Sequence, residues 1–220
     1  MPNQKRIFLL HAYLPSMAPV DRAFREIWPE AAVFNLLDES VYADISTEGD
    51  VPTAVADRIA NLLHHCVLSG ADGIVFTGST FGPTIERIRG CVSIPVLTAD
   101  EGAAEAAVQA GHSILLLSTA SRSMPVTRRS LENAAARAGV RPVITGKVVE
   151  GAKEALDAGD LARHNALIGA AVADLAEFDV VVFGQMSMEA ALDRAPPELA
   201  SRIITTPRAS ARKMRSILGT

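Results

Sequence analysis

Two segments with the same pattern, one in each half of the chain, constrain the fold most. Residues 75–82 are Val-Phe-Thr-Gly-Ser-Thr-Phe-Gly, and residues 182–188 are Val-Phe-Gly-Gln-Met-Ser-Met. Each ends an apolar run and precedes a helical pattern, so each predicts a turn at the carboxyl end of a buried strand. A helix that starts directly after such a turn offers a cradle for an anion. The sequence therefore predicts two similar anion-binding turns.

Short apolar runs alternate with helical patterns along the chain. Residues 114–117 and 180–183 are apolar throughout, as expected for strands of a parallel sheet that is covered on both faces. The predicted strands are 6–11, 32–37, 73–77, 95–98, 113–118, 142–149, 179–184 and 202–205. The clearest predicted helices are 54–68, 128–138, 161–175 and 207–218. This alternation predicts a doubly wound α/β protein.

The two halves also resemble each other outside the turns. Residues 9–20 match residues 116–126 when one residue is deleted, and the strands at 95–98 and 202–205 then fall at corresponding places. We therefore predict an α/β fold with two pseudo-symmetric Rossmann-like lobes. Each lobe has a mostly four-stranded parallel sheet flanked by helices, and the site lies in the cleft between the lobes. The predicted lobes are residues 1–98 with 207–220, and residues 99–206.

Composition argues against several classes of function. The net charge is −4 and no basic block is present, so no nucleic-acid partner is expected. No run approaches the roughly 18 apolar residues of a membrane helix, and residues 7–10 are too short for the core of a secretion signal. We expect a cytoplasmic protein with no membrane partner. The two cysteines indicate no disulfide framework, and no Cys/His spacing predicts a metal site.

Ligands of doubly wound sheets bind beyond the carboxyl ends of the strands. Four predicted strand ends carry polar or small residues, at 11–13, 77–80, 118–121 and 184–187. In the turn before Pro83, Ser79 and Thr80 would add hydroxyl donors to the free N–H groups of a helix start. Such a turn suits a carboxylate or an enolate-like oxygen. The alternative is that Ser79 or Thr80 simply caps its helix.

The chain resembles the aspartate/glutamate/hydantoin racemase superfamily along essentially its whole length. The segments that carry the resemblance are 10–12 with 18–20 and 28–30, 35–38, 76–83 and 182–188. The resemblance implies two α/β lobes with the active site between them, no cofactor, and a homo-oligomer. The best-known racemases of the group carry one cysteine on each turn, whereas arylmalonate decarboxylase keeps only the second-lobe thiol and has glycine at the first position.

This chain departs from those patterns at both thiol positions. Gly78 stands at the first and Gln185 at the second, and neither side chain exchanges a proton near neutral pH. Two-thiol racemisation is therefore not expected. The resemblance still implies substrate-binding turns and a cleft lining, and the residues concerned are Gly78, Ser79, Thr80, Ser118, Thr119, Gly184, Gln185, Met186 and Ser187.

A few other side chains could replace the thiols. His11 ends the first strand and titrates near neutral pH, so it is the candidate for proton transfer, although it could equally be a satisfied strand-end histidine. Asp38 could orient His11 or bind substrate, or it could accept backbone N–H bonds in a turn. Cys66 lies on the apolar face of a predicted helix and is expected to pack in the hydrophobic core. Cys91 is expected at the amino end of a strand, away from the cleft.

The first functional hypothesis is a cofactor-independent racemase, isomerase or decarboxylase that acts on a small amino-acid-like or malonate-like acid through an enediolate. The catalytic candidates are His11, Ser79 and Gln185. The alternative is a non-catalytic carboxylate-binding protein that has lost the thiol pair. A third hypothesis is a hydrolase with Ser79 as nucleophile and His11 and Asp38 as a loose triad, although the turn lacks a Gly-x-Ser-x-Gly elbow.

Overall fold

The computed structural model describes residues 4–45, 51–172 and 177–219. Within these ranges the chain forms two parallel sheets of four strands each. The first sheet contains β1 (Arg6–His11), β2 (Ala32–Leu37), β3 (Gly73–Phe76) and β4 (Val96–Leu97). The second contains β5 (Ser113–Ser118), β6 (Val143–Val148), β7 (Val180–Phe183) and β8 (Ile203–Thr205).

Helices alternate with these strands. They are α1 (Met17–Ile27), α2 (Ser40–Ala43), α3 (Thr53–Leu68), α4 (Gly82–Ile88), α5 (Glu101–Ala110), α6 (Met124–Ala138), α7 (Ala152–Asp157), α8 (Leu161–Val172), α9 (Pro197–Ala200) and α10 (Thr206–Leu218). The turns after β3 and β7 each open with 3₁₀ helix, at Ser79–Phe81 and Met186–Arg194. A helical segment therefore begins at both turns that the sequence singled out.

The two sheets share one topology. Their strand orders are β2-β1-β3-β4 and β6-β5-β7-β8, and the paired strands are parallel. Strands β3 and β7 thus hold equivalent central positions, so the turns that follow them are also equivalent. The predicted α/β fold with two pseudo-symmetric lobes is confirmed.

Central strands are buried on both faces, which explains their continuous apolar runs. In β5, Leu116 packs with one hydrophobic cluster, whereas its neighbours Leu115 and Leu117 pack with another. In β1, Leu10 and its neighbour Leu9 likewise belong to different clusters. Successive side chains of a strand point to opposite faces, so apolar residues are needed at every position of a strand between two helix layers.

Element boundaries differ from the predicted ones mainly at helix starts. Helix α6 begins at Met124, one turn before the predicted start at residue 128, because Pro125 in its first turn has a φ already suited to a helix. Strand β4 is two residues shorter than predicted. The predicted helix 161–175 is present as α8 from Leu161, and residues 173–175 of that prediction lie outside the described residues.

The last helix packs against the first half of the chain. Met214 of α10 lies in one apolar cluster with Ile7 of β1, and the Arg215 Nη1 donates to the Ile27 carbonyl at the end of α1. The exact division into lobes at residues 98 and 207 stays a prediction. Among the helices of the described ranges, none is long and apolar enough to cross a membrane.

Candidate active site

The turns after β3 and β7 face each other across one cavity of about 70 Å³. The cavity is also lined by segments that follow β1, β5 and β6. Thr80 of the first turn and Ser187 of the second lie on the same cavity wall. The expectation that the two turns share one cleft is therefore confirmed.

The first turn leaves backbone donors at the cavity but no room for a side chain at the first thiol position. The 3₁₀ helix begins at Ser79, so the N–H groups of Ser79 and Thr80 have no acceptor inside the helix. A Cβ atom at Gly78 would lie 2.9 Å from Phe81 Cδ2 and 3.1 Å from Phe76 Cε1. Two buried aromatic rings therefore occupy the space that a thiol would need.

Ser79 is held from behind by a buried carboxyl group. Its Oγ lies 2.9 Å from Asp100 Oδ1 and 3.2 Å from the carbonyl oxygen of Gly184, and Thr127 Oγ1 donates to Asp100 Oδ2 at 2.9 Å. Asp100 is only 3% exposed. Burial raises its pKa to about 6, against the two hydroxyl hydrogen bonds, which lower it.

Thr77 is held from behind by His11. Thr77 lines the cavity, and its Oγ1 lies 2.9 Å from His11 Nδ1 and 3.4 Å from both Ser16 Oγ and the Leu10 carbonyl oxygen. The other ring nitrogen, His11 Nε2, lies 3.0 Å from Asn35 Oδ1. The His11 ring is buried, with 1% exposed. Desolvation lowers the pKa of His11, although the Asn35 hydrogen bond and the Asp21 carboxylate act in the opposite direction.

The hydrogen-bond pattern fixes the tautomer of that neutral ring. Asn35 Nδ2 donates to Asp21 Oδ1 at 2.9 Å, so Asn35 Oδ1 is the acceptor that faces His11. His11 Nε2 therefore carries the ring proton, and Nδ1 is left as an acceptor. His11 Nδ1, at 2.9 Å, is therefore the nearer of two acceptors for the Thr77 hydroxyl proton, and the other is the Leu10 carbonyl oxygen at 3.4 Å.

In the second turn, the Gln185 side chain is fully engaged within the protein. Its Oε1 accepts from the backbone N–H of Thr119 at 2.7 Å and lies 3.3 Å from Thr119 Oγ1. Its Nε2 donates at 2.8 Å to both Ser118 Oγ and Ser123 Oγ. A primary amide has two donors and two acceptor sites, so no hydrogen-bonding capacity remains for a ligand.

An ion pair from the second half of the chain contributes a charged side chain to the cavity wall. Lys153, in the first turn of α7, is the one charged side chain among the residues that line it. Its Nζ forms a 2.5 Å ion pair with Asp157 and lies 5.0 Å from the centre of the Tyr13 ring. The Tyr13 hydroxyl donates to Asp157 Oδ1 at 2.6 Å, which links the two lobes. The cation at the cavity is therefore paired with a carboxylate of the protein.

Most of the predicted site residues line this cavity, but some do not. Those on the wall are Gly78, Ser79, Thr80, Thr119, Gln185, Met186 and Ser187. Those behind the wall or away from it are His11, Asp38, Ser118 and Gly184. His11 and Ser118 still reach wall residues through Thr77 and Gln185.

Asp38 does not contact the His11 ring and instead accepts the backbone N–H of Ser40, which is the turn role that the sequence analysis gave as the alternative. Its carboxylate accepts from Ser40 and lies 3.3 Å from Arg58 Nη2. Burial would raise the pKa of Asp38, but these hydrogen bonds keep it below its ordinary value. The acid behind His11 is Asp21, acting through Asn35, because β2 pairs in parallel with β1 and places Asn35 beside the end of β1.

The loose triad of the hydrolase hypothesis is also not formed. Ser79 hydrogen-bonds to Asp100 and His11 to Thr77, so no histidine serves Ser79 as a base. The cysteines lie elsewhere, as expected: Cys66 is buried in α3, where desolvation raises its thiol pKa to about 11, and Cys91 is exposed before β4.

Sequence reasoning assigned no role to three residues that shape the site. Thr77 lies within a strand end that the sequence had singled out. Asp100 follows β4 and Lys153 follows β6, so the strand-end rule could have found both. Neither segment stood out, because both residues lie close to a helix start, where acidic and basic residues are common.

Comparison with known proteins shows which family the chain belongs to. The sequence profile of the Asp/Glu/Hydantoin racemase family matches residues 17–214, and the chain belongs to that family. The resemblance inferred from the motifs is therefore confirmed. No curated protein sequence matches the chain significantly.

Solved racemase structures share the fold. A glutamate racemase from Bacillus anthracis superposes with a TM-score of 0.71 at 12% identity, covering 97% of this chain and 81% of that one. An allantoin racemase from Klebsiella pneumoniae gives 0.71 at 15% identity, covering 98% and 88%. An aspartate racemase homologue from Pyrococcus horikoshii gives 0.71 at 16% identity, covering 98% and 99%. The TM-scores show that the fold is shared. Sequence identities this low carry no information on the reaction of this chain.

Proposed function

We propose that this protein is an isomerase-type member of the racemase family that moves a proton at the carbon next to the carboxylate of a small acid. The observation that carries the proposal is the Thr77 hydroxyl, which lines the cavity and donates to a buried, neutral His11. The proposal rests on no cofactor. It also needs no thiol at Gly78 or Gln185.

Thr77 and His11 together form a relay for one proton. As Thr77 Oγ1 takes the proton from the substrate carbon, its own proton passes to His11 Nδ1. The electron pair of the broken C–H bond moves into the enediolate. A proton returned to the same carbon gives exchange with retention of configuration, whereas a proton delivered from the same face to another carbon of the delocalised anion gives the isomer. A neutral imidazole with a free Nδ1 is the form that this direction of transfer requires.

The first turn and Lys153 supply the electrostatic support. The N–H groups of Ser79 and Thr80 point from a helix start, where they would stabilise the negative charge that develops on the enediolate oxygens. Lys153 would hold a carboxylate at the cavity mouth, in competition with its ion pair to Asp157. A cavity of about 70 Å³ suits a small acid.

The geometry favours proton transfer on one face of the substrate over both racemisation and decarboxylation. The second turn presents Gln185, whose polar atoms are all engaged and which exchanges no proton near neutral pH. Decarboxylation needs a group that delivers a proton to the carbanion. Neutral His11 carries no proton on Nδ1, the nitrogen that faces Thr77, so it cannot supply one through Thr77. Because only the Thr77–His11 relay exchanges a proton, and it reaches only one face of the substrate, an isomerase-type transfer fits the site best.

A second candidate function is carboxylate binding without catalysis. The filled space beside Gly78 and the internal bonding of Gln185 favour it, because both thiol positions are closed off rather than vacant. This candidate predicts stabilisation by ligand without turnover. The homo-oligomer implied by the resemblance stays a prediction under either function.

Deuterium incorporation distinguishes the two candidates. Small amino acids, hydantoins and malonates are incubated with the protein in D₂O, and the loss of the proton signal at the α-carbon is followed by NMR. We expect exchange with retention of configuration for at least one class. The Thr77→Val variant should lose roughly 10²–10⁴-fold in exchange rate, the usual contribution of general acid–base catalysis.

The matched control is Thr145→Val, which changes an exposed threonine of β6 that is not part of the cavity wall. It should exchange at the wild-type rate. Full exchange in a folded Thr77→Val protein would overturn the relay. Ligand-induced thermal stabilisation without any exchange would instead establish the binding protein.

A further inference from the structure

A second buried titratable group, Asp100, stands behind the cavity on the Ser79 side. Asp100 directly precedes α5, but its side chain does not cap that helix. Its two oxygens accept instead from the hydroxyls of Ser79 and Thr127, each at 2.9 Å. Within the described ranges Asp100 forms no ion pair. A carboxyl group held only by neutral hydroxyls is free to exist in either protonation state.

The charged groups on the elements packed around Asp100 do not neutralise it. Glu101, the next residue, is paired with Arg89 and Lys213. On the side away from the main cavity, a space of about 20 Å³ separates Asp100 from the other charged residues near it, which are Glu86 of α4 and Arg129 of α6. Burial is the largest influence on Asp100 and raises its pKa to about 6. Its protonation state therefore changes near physiological pH.

Ser79 has a single hydroxyl proton to place. Its two partners within the protein are Asp100 Oδ1 and the Gly184 carbonyl oxygen. When Asp100 is ionised, both partners are acceptors, so the Ser79 proton is directed into the protein and lone pairs face the cavity. When Asp100 is protonated, it can donate to Ser79 Oγ, and the Ser79 proton then goes either to the Gly184 carbonyl oxygen at 3.2 Å or to a ligand oxygen in the cavity. A ligand carboxylate is charged and is the stronger acceptor of the two.

We propose that Asp100 is a positioning residue whose protonation decides whether the Ser79 hydroxyl accepts or donates a hydrogen bond in the cavity. The inference rests on the proposed function in that it places a carboxylate ligand in this cleft. A carboxylate accepts hydrogen bonds and so binds preferentially to the form with protonated Asp100. Because coupling between binding equilibria is reciprocal, binding of the carboxylate takes up a proton.

The first experiment measures this coupling with L-lactate, whose carboxyl group stays ionised between pH 5 and pH 8. Isothermal titration is run across that range in buffers with different heats of ionisation. We expect the wild-type affinity to fall roughly tenfold from pH 5 to pH 7.5, within the usual range for coupled sites, with uptake of up to about half a proton near pH 6.5. In Asp100→Asn and in Ser79→Ala both the pH dependence and the proton uptake should disappear.

A pH dependence that persists in Asp100→Asn would belong to another group, such as His11, and would overturn the inference. Lactate affinity that is independent of pH in the wild-type protein would also overturn it, while leaving the carboxylate-binding cleft intact. The two failures are therefore distinguishable.

A second experiment needs no ligand. The Asp100 carboxyl is titrated by ¹³C NMR in protein labelled at aspartate Cγ. Loss of the Ser79 donor in Ser79→Ala should raise the pKa of Asp100 by roughly 0.5–1 unit, because a hydrogen bond to the charged form is removed. Ser130→Ala, on the far side of Asp100, is the control and should leave the titration unchanged.

An unchanged Asp100 titration in Ser79→Ala would overturn the coupling directly. If that pKa rises as expected but lactate fails to bind at any pH, the Asp100–Ser79 coupling stands and the carboxylate-binding function fails.

Discussion

The turns after β3 and β7 occupy equivalent places in two sheets of the same topology, yet they differ in what lies behind them. Behind the first turn, the cavity hydroxyls of Thr77 and Ser79 each contact a buried titratable group. Behind the second, Gln185 contacts only hydroxyls and a backbone N–H group. Titratable groups therefore lie behind the first turn only, and under the proposed function it is the first turn that exchanges protons while the second is a neutral wall.

This difference shows how a pseudo-symmetric fold can hold one-sided chemistry. A sheet topology repeated in both halves brings the two turns together whatever their side chains are. Under the proposed function, the chemistry depends on buried residues behind the first turn, such as His11 and Asp100, which the repeat does not duplicate. Three measurements test the comparison, in order of decreasing effect.

The largest effect concerns the pH dependence of stability set by Asp100. Its pKa is about 6 in the folded chain, above the ordinary 3.8, so between these values the folded state binds more protons than the unfolded state. The free energy of unfolding therefore falls as pH rises through this window, by the order of 2–3 kcal/mol, and the loss is nearly complete by about pH 7. Asp100→Asn should remove this fall.

Urea unfolding at pH 4, 5, 6 and 7 checks this prediction. The free energy of unfolding of Asp100→Asn should rise relative to that of the wild type as pH rises. Asp57→Asn, at an exposed position of α3, is the control and should run parallel to the wild type. Parallel curves for Asp100→Asn would mean that the first turn is as neutral as the second.

The second effect concerns the wall formed by Gln185. Gln185→Ala leaves the Thr119 N–H and the Ser118 and Ser123 hydroxyls without their shared partner, and should cost about 2 kcal/mol of unfolding free energy. Gln109→Ala, at an exposed position of α5, should stay within about 0.5 kcal/mol of the wild type. If the two variants were equally stable in urea, the hydrogen bonds of Gln185 would not stabilise the fold, and its side chain would be available to a ligand.

The smallest effect concerns the closed space at Gly78. A methyl group there would meet the Phe81 and Phe76 rings, so Gly78→Ala should lose about 1 kcal/mol in thermal or urea unfolding. Gly90→Ala has no atom within 4 Å of the new Cβ and should be neutral or slightly stabilising. If Gly78→Ala were as stable as Gly90→Ala, the first thiol position would be open and the contrast with other family members weaker.

The site was only partly predictable from the sequence. The strand-end rule placed Ser79, Thr80 and Gln185 at the cavity because it depends on chain direction alone. It could not show that His11 lies behind Thr77, since the final residue of a strand can face either side. One of the alternatives for Asp38 placed it behind His11, whereas the parallel register of β1 and β2 brings Asn35 to the ring, with Asp21 behind it.

The sequence by itself determined the α/β class, the two matching halves and the absence of thiols from both turns, because apolar periodicity and motif spacing are local properties of the chain. The tertiary structure alone decided which buried groups support the cavity hydroxyls. Asp100 and Ser79 are 21 residues apart, and His11 and Thr77 are 66 apart. Contacts over such distances depend on strand order and helix packing, and burial then sets the protonation states on which the chemistry depends.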